Sequence, residues 1–172
     1  FGREYIAVID FDAIAVSEDV AKILTERLTS EMIALEVYQV IERKKMKRLL
    51  EEQKFQYSGC VELKCAIEIG KMLGAKYIVV GSVSKLGDSF SIDSRMISIE
   101  TSEAYTSATF VHKGKIDILL TDGILSISKQ LCELEKTNTK KAVSQKEIVE
   151  YREDEDSYDT SYLTDRKLFG GG

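Results

Sequence analysis

The sequence predicts an α/β fold: a mixed sheet in the order β-α-β-α-α-β-β-β-α, helices packed on it, and an irregular acidic C-terminal tail. Three observations predict it. Short apolar runs of strand length alternate with longer stretches whose apolar residues recur at three- and four-residue steps. Three strand-like segments then follow one another with only turn residues between them, and such a meander cannot be all parallel. From Lys136 onward periodicity stops and charge dominates, as in linkers and disordered segments.

Residues 5–10 are an apolar run of the kind that forms a buried strand. Ser17 supplies a helix N-cap, and Glu18 and Asp19 suit the positive end of the helix dipole. Val20, Ile23, Leu24, Leu28, Met32 and Leu35 then mark one buried helical face. Residues 37–41 read as a second strand, and 44–53 as a short helix anchored by Met46, Leu49 and Leu50. A third helix runs from about residue 61 to 73 and stops at Gly74.

The segment 76–85 opens with Tyr77-Ile78-Val79-Val80, apolar on both faces, which predicts a central strand. Gly87-Asp88 is a turn, and residues 90–99 return with alternating polarity. A change of phase along that strand predicts a bulge near Asp93-Ser94, or burial of both faces towards its end. Thr101-Ser102 turns the chain into a third strand, 104–111, and a helix over 115–134 closes the domain. Its inner side would carry Ile116, Leu119, Leu120, Ile124, Ile127, Leu131 and Leu134. The expected division is a domain at 1–135 and a charged linker or tail at 136–172, ending in Gly170-Gly171-Gly172.

Composition narrows the function classes. Hydrophobic residues make up 44% of the chain, enough for a core. No apolar run approaches the ~18–20 residues of a membrane-spanning helix. Residues 147–165 carry eight acids against Arg152, a net of -7, so the formal net of -5 leaves the rest of the chain at +2. Nucleic-acid binding calls for a strongly basic face, and none is expected here. A single histidine excludes any site built on two imidazoles. The chain opens on Phe1 rather than Met, so a removed leader or upstream region is expected.

Asp10-Phe11-Asp12 is the sharpest enzymatic pattern. It follows an apolar strand, as does the paired-aspartate motif of haloacid-dehalogenase-type phosphatases, in which one carboxylate attacks phosphorus and the other handles the leaving-group proton. Gly87-Asp88-Ser89 imitates the later magnesium-binding motif of those enzymes. Against this, Ala13-Ile14 stands where Gly-Thr is expected, and Asp88 falls in a hairpin turn rather than between a strand and a helix. A strand end with solvated carboxylates is the alternative. The spacing of Gly70, Gly74 and Gly81 fits no phosphate-cradling loop, so helix ending and close packing account for them.

Arg43, Lys44, Lys45, Lys47 and Arg48 form the one dense basic cluster, balanced by Glu51 and Glu52. It is either the solvated face of a short helix or a contact for a protein partner, anionic lipid or an acidic tail. His112, alone near a strand end, reads as a surface histidine, and Cys132 as a core thiol. Tyr151, Tyr158 and Tyr162, spaced through the acidic tail, are either part of a solvated linker or a segment that docks on another protein. Cys60 and Cys65 come within bonding range if Cys60 lies just outside the helix, and face apart in one continuous helix. The pair, with no other Cys or His near it in sequence, is poor as a zinc site.

Several stretches, taken in order, resemble one family. They are Ile6-Ala7-Val8-Ile9-Asp10-Phe11, Val40-Ile41-Glu42-Arg43, and Ser58-Gly59-Cys60 with Cys65-Ala66 and Ile69-Gly70. Leu73-Gly74-Ala75-Lys76-Tyr77-Ile78-Val79-Val80-Gly81-Ser82-Val83 and Arg95-Met96-Ile97-Ser98-Ile99-Glu100-Thr101 complete the set. Together they resemble the periplasmic α/β domain of CsgG-type proteins, a fold similar to LpoB and to the N-terminal domain of TolB, over about residues 4–135. Curli secretion channels of that family insert a membrane-barrel hairpin between the strands that here meet at Lys85-Leu86-Gly87-Asp88. That link is too short for one, since a transmembrane strand takes ~9–11 residues.

The resemblance implies a non-enzymatic protein-binding or assembly domain of the bacterial cell envelope, at the periplasm, without cofactor or metal. It would bind protein partners or further copies of itself. Membrane association would come through parts outside this stretch, such as a lipid anchor. An oxidising periplasm favours the Cys60–Cys65 disulfide over two free thiols. The alternatives are a magnesium-dependent phosphatase using Asp10 and Asp12, and a cytoplasmic adaptor of the same fold.

Overall fold

The computed structural model describes residues 2–53 and 62–132. Strands β1 (Tyr5–Val8), β2 (Asp12–Ile14), β3 (Gln39–Val40), β4 (Tyr77–Leu86), β5 (Ser89–Ser98) and β6 (Ala104–Lys113) form one mixed sheet. Helices α1 (Glu18–Leu35), α2 (Arg43–Glu52), α3 (Leu63–Leu73) and α4 (Ile124–Leu131) pack on it, and a π-helical turn, Leu119–Gly123, leads into α4. The strand order is β3-β1-β4-β5-β6, with β2 continuing beside β4 beyond β1. β1 pairs in parallel with β3 and with β4, β2 pairs in parallel with β4, and β4-β5-β6 is the antiparallel meander.

Two apolar clusters sit on opposite faces of the sheet. Leu24, Leu28 and Met32 of α1 and Ile124, Ile127 and Leu131 of α4 pack on Val79, Val83, Ile92 and Met96. Met46 and Leu50 of α2 and Ala66 and Ile69 of α3 pack on Ile78, Val80 and Ile97. β4 therefore contributes to both clusters by alternation, which is why its opening run is apolar on both faces.

Local chemistry fixes the element ends. The Ser17 hydroxyl accepts the Val20 amide at 3.3 Å and caps α1. Gly74 ends α3 in the left-handed conformation, φ 64°. Gly87, φ 59°, takes the first central position of the two-residue β4–β5 turn, as type II′ geometry demands.

Three details depart from the periodicity. Ile23 is exposed, because Thr25 and Thr29 occupy buried positions of α1; their hydroxyls donate to the carbonyls of Ala21 and Thr25 one turn back. Leu120 also lies outside the core, since the π turn inserts a residue and shifts the inner face to Leu119, Ile124, Ile127 and Leu131, while Ile116 stands exposed in the turn before the helix begins. The irregularity between β5 and β6 falls between Met96 and Ile97 rather than at Asp93-Ser94, and Met96, Ile97 and Ser98 are all buried. The boundary at 135/136, Leu134, Cys60 and the tail residues Tyr151, Tyr158 and Tyr162 lie outside the described residues.

Candidate functional site

A one-residue mismatch beside β4 builds the site. Val8 pairs with Val79 and Asp12 with Ser82, so Ile9, Asp10 and Phe11 stand opposite only Val80 and Gly81. Such a bulge bends the strand and re-aims its side chains. Asp10 turns towards the start of α2, where its carboxylate accepts a charge-assisted hydrogen bond from Arg43. Phe11 turns into the core, against Gly81.

Gly81 permits this approach. A Cβ there would stand 2.5 Å from the Asp93 carbonyl oxygen and 3.0 Å from the Phe11 ring. Gly70 is likewise a close-packing glycine, with Ile99 against its Cα. Both support the expectation that close approach, not phosphate binding, selects these positions.

Beyond the bulge, no described helix covers the face that α2 and α3 occupy nearer the strand starts. The result is an open cleft of about 350 Å³ lined by Asp10, Asp12, Ser82, Asp93, Arg95 and Thr109 among others. The ladder aligns Asp12, Ser82, Asp93 and Thr109 across four strands, with Arg95 one step along. Asp93 is oriented by two hydroxyls, accepting from Thr109 Oγ1 and from Ser91 Oγ, each at 3.0 Å. Burial raises the pKa of Asp12 above the ordinary carboxylate value. At the far end of this face stand the exposed aliphatics Ile14, Leu86 and Val111.

The residues singled out in the sequence are distributed rather than gathered. Asp10 and Asp12 share the cleft, but Asp88 lies at the β4–β5 turn. Among the described residues, no three His, Cys, Asp or Glu side chains are grouped to hold a metal. Lys44, Lys45, Lys47 and Arg48 are on the exposed side of α2, opposite buried Met46 and Leu50. Lys47 and Arg48 each stand 3.9 Å from the acid four residues on, Glu51 and Glu52. Arg43 alone leaves this cluster for the cleft rim.

His112 is half-buried beside Phe90 near the end of β6. Cys132 is a buried free thiol, and burial pushes it up to about 11. The Cys65 sulfur, on α3, is disulfide-bonded.

Sequence reasoning missed Ser82, Asp93, Arg95 and Thr109 as a set. The available signal was the run Ser91-Ile92-Asp93-Ser94-Arg95 in β5. A central strand with charge at alternate positions must have one face uncovered over that stretch.

Among the described residues, helices cover one face of the bulged mixed sheet and half of the other, an arrangement that defines a class of small α/β domains. Over residues 5–112 the sequence matches the family model of the curli production assembly/transport component CsgG, and the chain belongs to that family. Comparison with curated proteins finds no match in sequence. The fold is similar to the LpoB C-terminal domain from Salmonella enterica, with a TM-score of 0.53 at 14% identity over 66% of this chain and 85% of that one. It is similar to the lipoprotein GNA1162 from Neisseria meningitidis, with a TM-score of 0.55 at 9% identity over 66% and 83%. It is also similar to PelC from Paraburkholderia phytofirmans, a dodecamer, with a TM-score of 0.51 at 16% identity over 77% and 88%. Gly87 and Asp88 alone make the β4–β5 turn, which leaves no room there for a membrane-barrel hairpin.

Proposed function

We propose that the chain is a non-enzymatic protein-binding and assembly domain of the bacterial cell envelope, acting at the periplasm within a complex or as an accessory to one. The observation that carries this is CsgG family membership combined with a sheet face that the described helices leave half open. A lipoprotein and a dodecamer among proteins of the same fold support an envelope setting and self-assembly. The exposed side of α2, with Lys44, Lys45, Lys47 and Arg48, and the tail tyrosines Tyr151, Tyr158 and Tyr162 are secondary contact surfaces in this reading. A Cys60–Cys65 staple fits an oxidising compartment.

The ion pair of Asp10 with Arg43 weighs against the phosphatase alternative, because a carboxylate held by a guanidinium is a poorer nucleophile towards phosphorus. Light scattering on the full chain, with chemical cross-linking in envelope preparations, tests the proposal. A discrete oligomer or a stable envelope complex is expected. Magnesium-dependent phosphate release that disappears in Asp10→Asn would overturn it.

A further inference from the structure

β6 is an edge strand, with β5 on one side and no described strand on the other. Its central residue is not left bare. The Gln130 side chain, from α4, accepts the Thr109 amide at 3.2 Å through Oε1 and donates to the Thr109 carbonyl at 3.1 Å through Nε2. One primary amide thus makes both hydrogen bonds that an antiparallel neighbour would make at a hydrogen-bonded pair. Gln130 is itself held by a 2.9 Å bond to Ser126 Oγ, one turn back.

Because Thr109 points its amide and carbonyl away from β5, alternation sends those of Ser107 and Val111 the same way. Ser107, Thr109 and Val111 are all exposed. Native edges are usually blunted by charge, bulges or covering elements. Here the bulge at Tyr105 blunts one end and Lys113 the other, and Gln130 occupies the middle.

We infer that Gln130 is a displaceable stand-in for a strand, and that the occupant which replaces it is β6 of a second copy, antiparallel about a twofold axis at Thr109. This deepens the assembly reading by naming one contact, and it rests on that reading. The register sets Thr109 against Thr109 and Ser107 against Val111. It brings the end carrying Lys113 and Lys115 of one copy alongside the end carrying Glu103 of the other, so the charges are complementary. Such an isologous contact closes on itself as a dimer.

The test uses the full chain. Gln130→Ala frees the Thr109 edge, so dimerisation measured by sedimentation should tighten on the order of tenfold, as expected when two exposed hydrogen bonds no longer compete. Facing hydrogen-bonded residues of antiparallel strands stand ~5.5 Å apart at Cα, within disulfide range. Thr109→Cys should therefore cross-link to itself on oxidation. Ser107→Cys mixed with Val111→Cys should also cross-link, whereas Val111→Cys alone should not.

An unchanged dissociation constant for Gln130→Ala, or self-cross-linking by Val111→Cys, overturns the edge pairing. Association that leaves every cysteine position uncross-linked overturns it too, but leaves the assembly role standing. No self-association in either the wild type or Gln130→Ala overturns this inference, and the envelope cross-linking above then decides the broader reading separately.

Discussion

The amide of Phe11 donates to the buried hydroxyl of Thr25 at 3.0 Å, and that hydroxyl donates in turn to the Ala21 carbonyl at 2.7 Å. The bulge that aims Asp10 and Asp12 into the cleft takes the Phe11 amide out of register with β4. Thr25 supplies the missing acceptor from α1, so a polar residue inside the core is the condition for the bulge. Thr25→Val preserves shape but leaves the Phe11 amide unsatisfied. It should cost ~1–3 kcal/mol in urea unfolding, while Thr25→Ser should retain most of the stability. Equal stability in Thr25→Val and the wild type would sink this account.

Gly81 is the second condition. Its Cβ would meet backbone, the Asp93 carbonyl at 2.5 Å and Ser94 Cα at 3.1 Å, so no side-chain rotation relieves the clash. Gly81→Ala should lose ~1–3 kcal/mol, the usual scale for overpacking. Gly2, with nothing within 4 Å of its Cβ position, is the control. Denaturation midpoints for Gly81→Ala and Gly2→Ala should therefore separate clearly.

Much of this architecture is legible in the residues. The apolar runs of β1 and β4, the Ser17 cap and the Gly74 and Gly87 stops are local signals that tertiary context does not overrule. What escaped is what depends on register. The three residues of β2 are too few to carry a period. Thr25 and Thr29 look like exposed positions until their hydroxyls find carbonyls one turn back. The π turn shifts Leu120 out of the core by one inserted residue, and Ile116 falls in the turn before the helix. The cleft was half visible, through Asp10 and Asp12, whereas Asp93, Arg95 and Thr109 join it only when β4, β5 and β6 are laid side by side.

Asp12 is a carboxylate whose position costs stability at neutral pH. Burial raises its pKa in the folded state above the unfolded value of 3.8, so the native protein binds the proton more tightly than the unfolded chain. Its contribution is therefore fully favourable below about 3.8 and declines as pH rises through the folded value. Asp12→Asn should be more stable than the wild type at pH 7, and the difference should vanish in acid. Parallel thermal melts at pH 7 and pH 3.5 measure this. An advantage of equal size at both pH values would mean that charge burial is not its cause.

Cys132 gives an alkaline counterpart. Burial raises its thiol from 9.0 to about 11, so the folded state holds the proton over a range in which the unfolded chain has lost it. Stability from this group is complete below pH 9 and falls as pH rises through about 11. Cys132→Ala leaves no titrating group at this position, so it should lose less stability than the wild type between pH 8.5 and pH 10.5. The thiol should also resist alkylation at pH 8 in the native protein and react fully once urea unfolds it, because only the thiolate attacks and burial suppresses both ionisation and access. Mass spectrometry of the alkylated protein distinguishes the two states. Rapid native labelling at Cys132 would show that the end of α4, which positions Gln130 against Thr109, opens far more readily than its buried contacts with Ile92 and Leu28 imply.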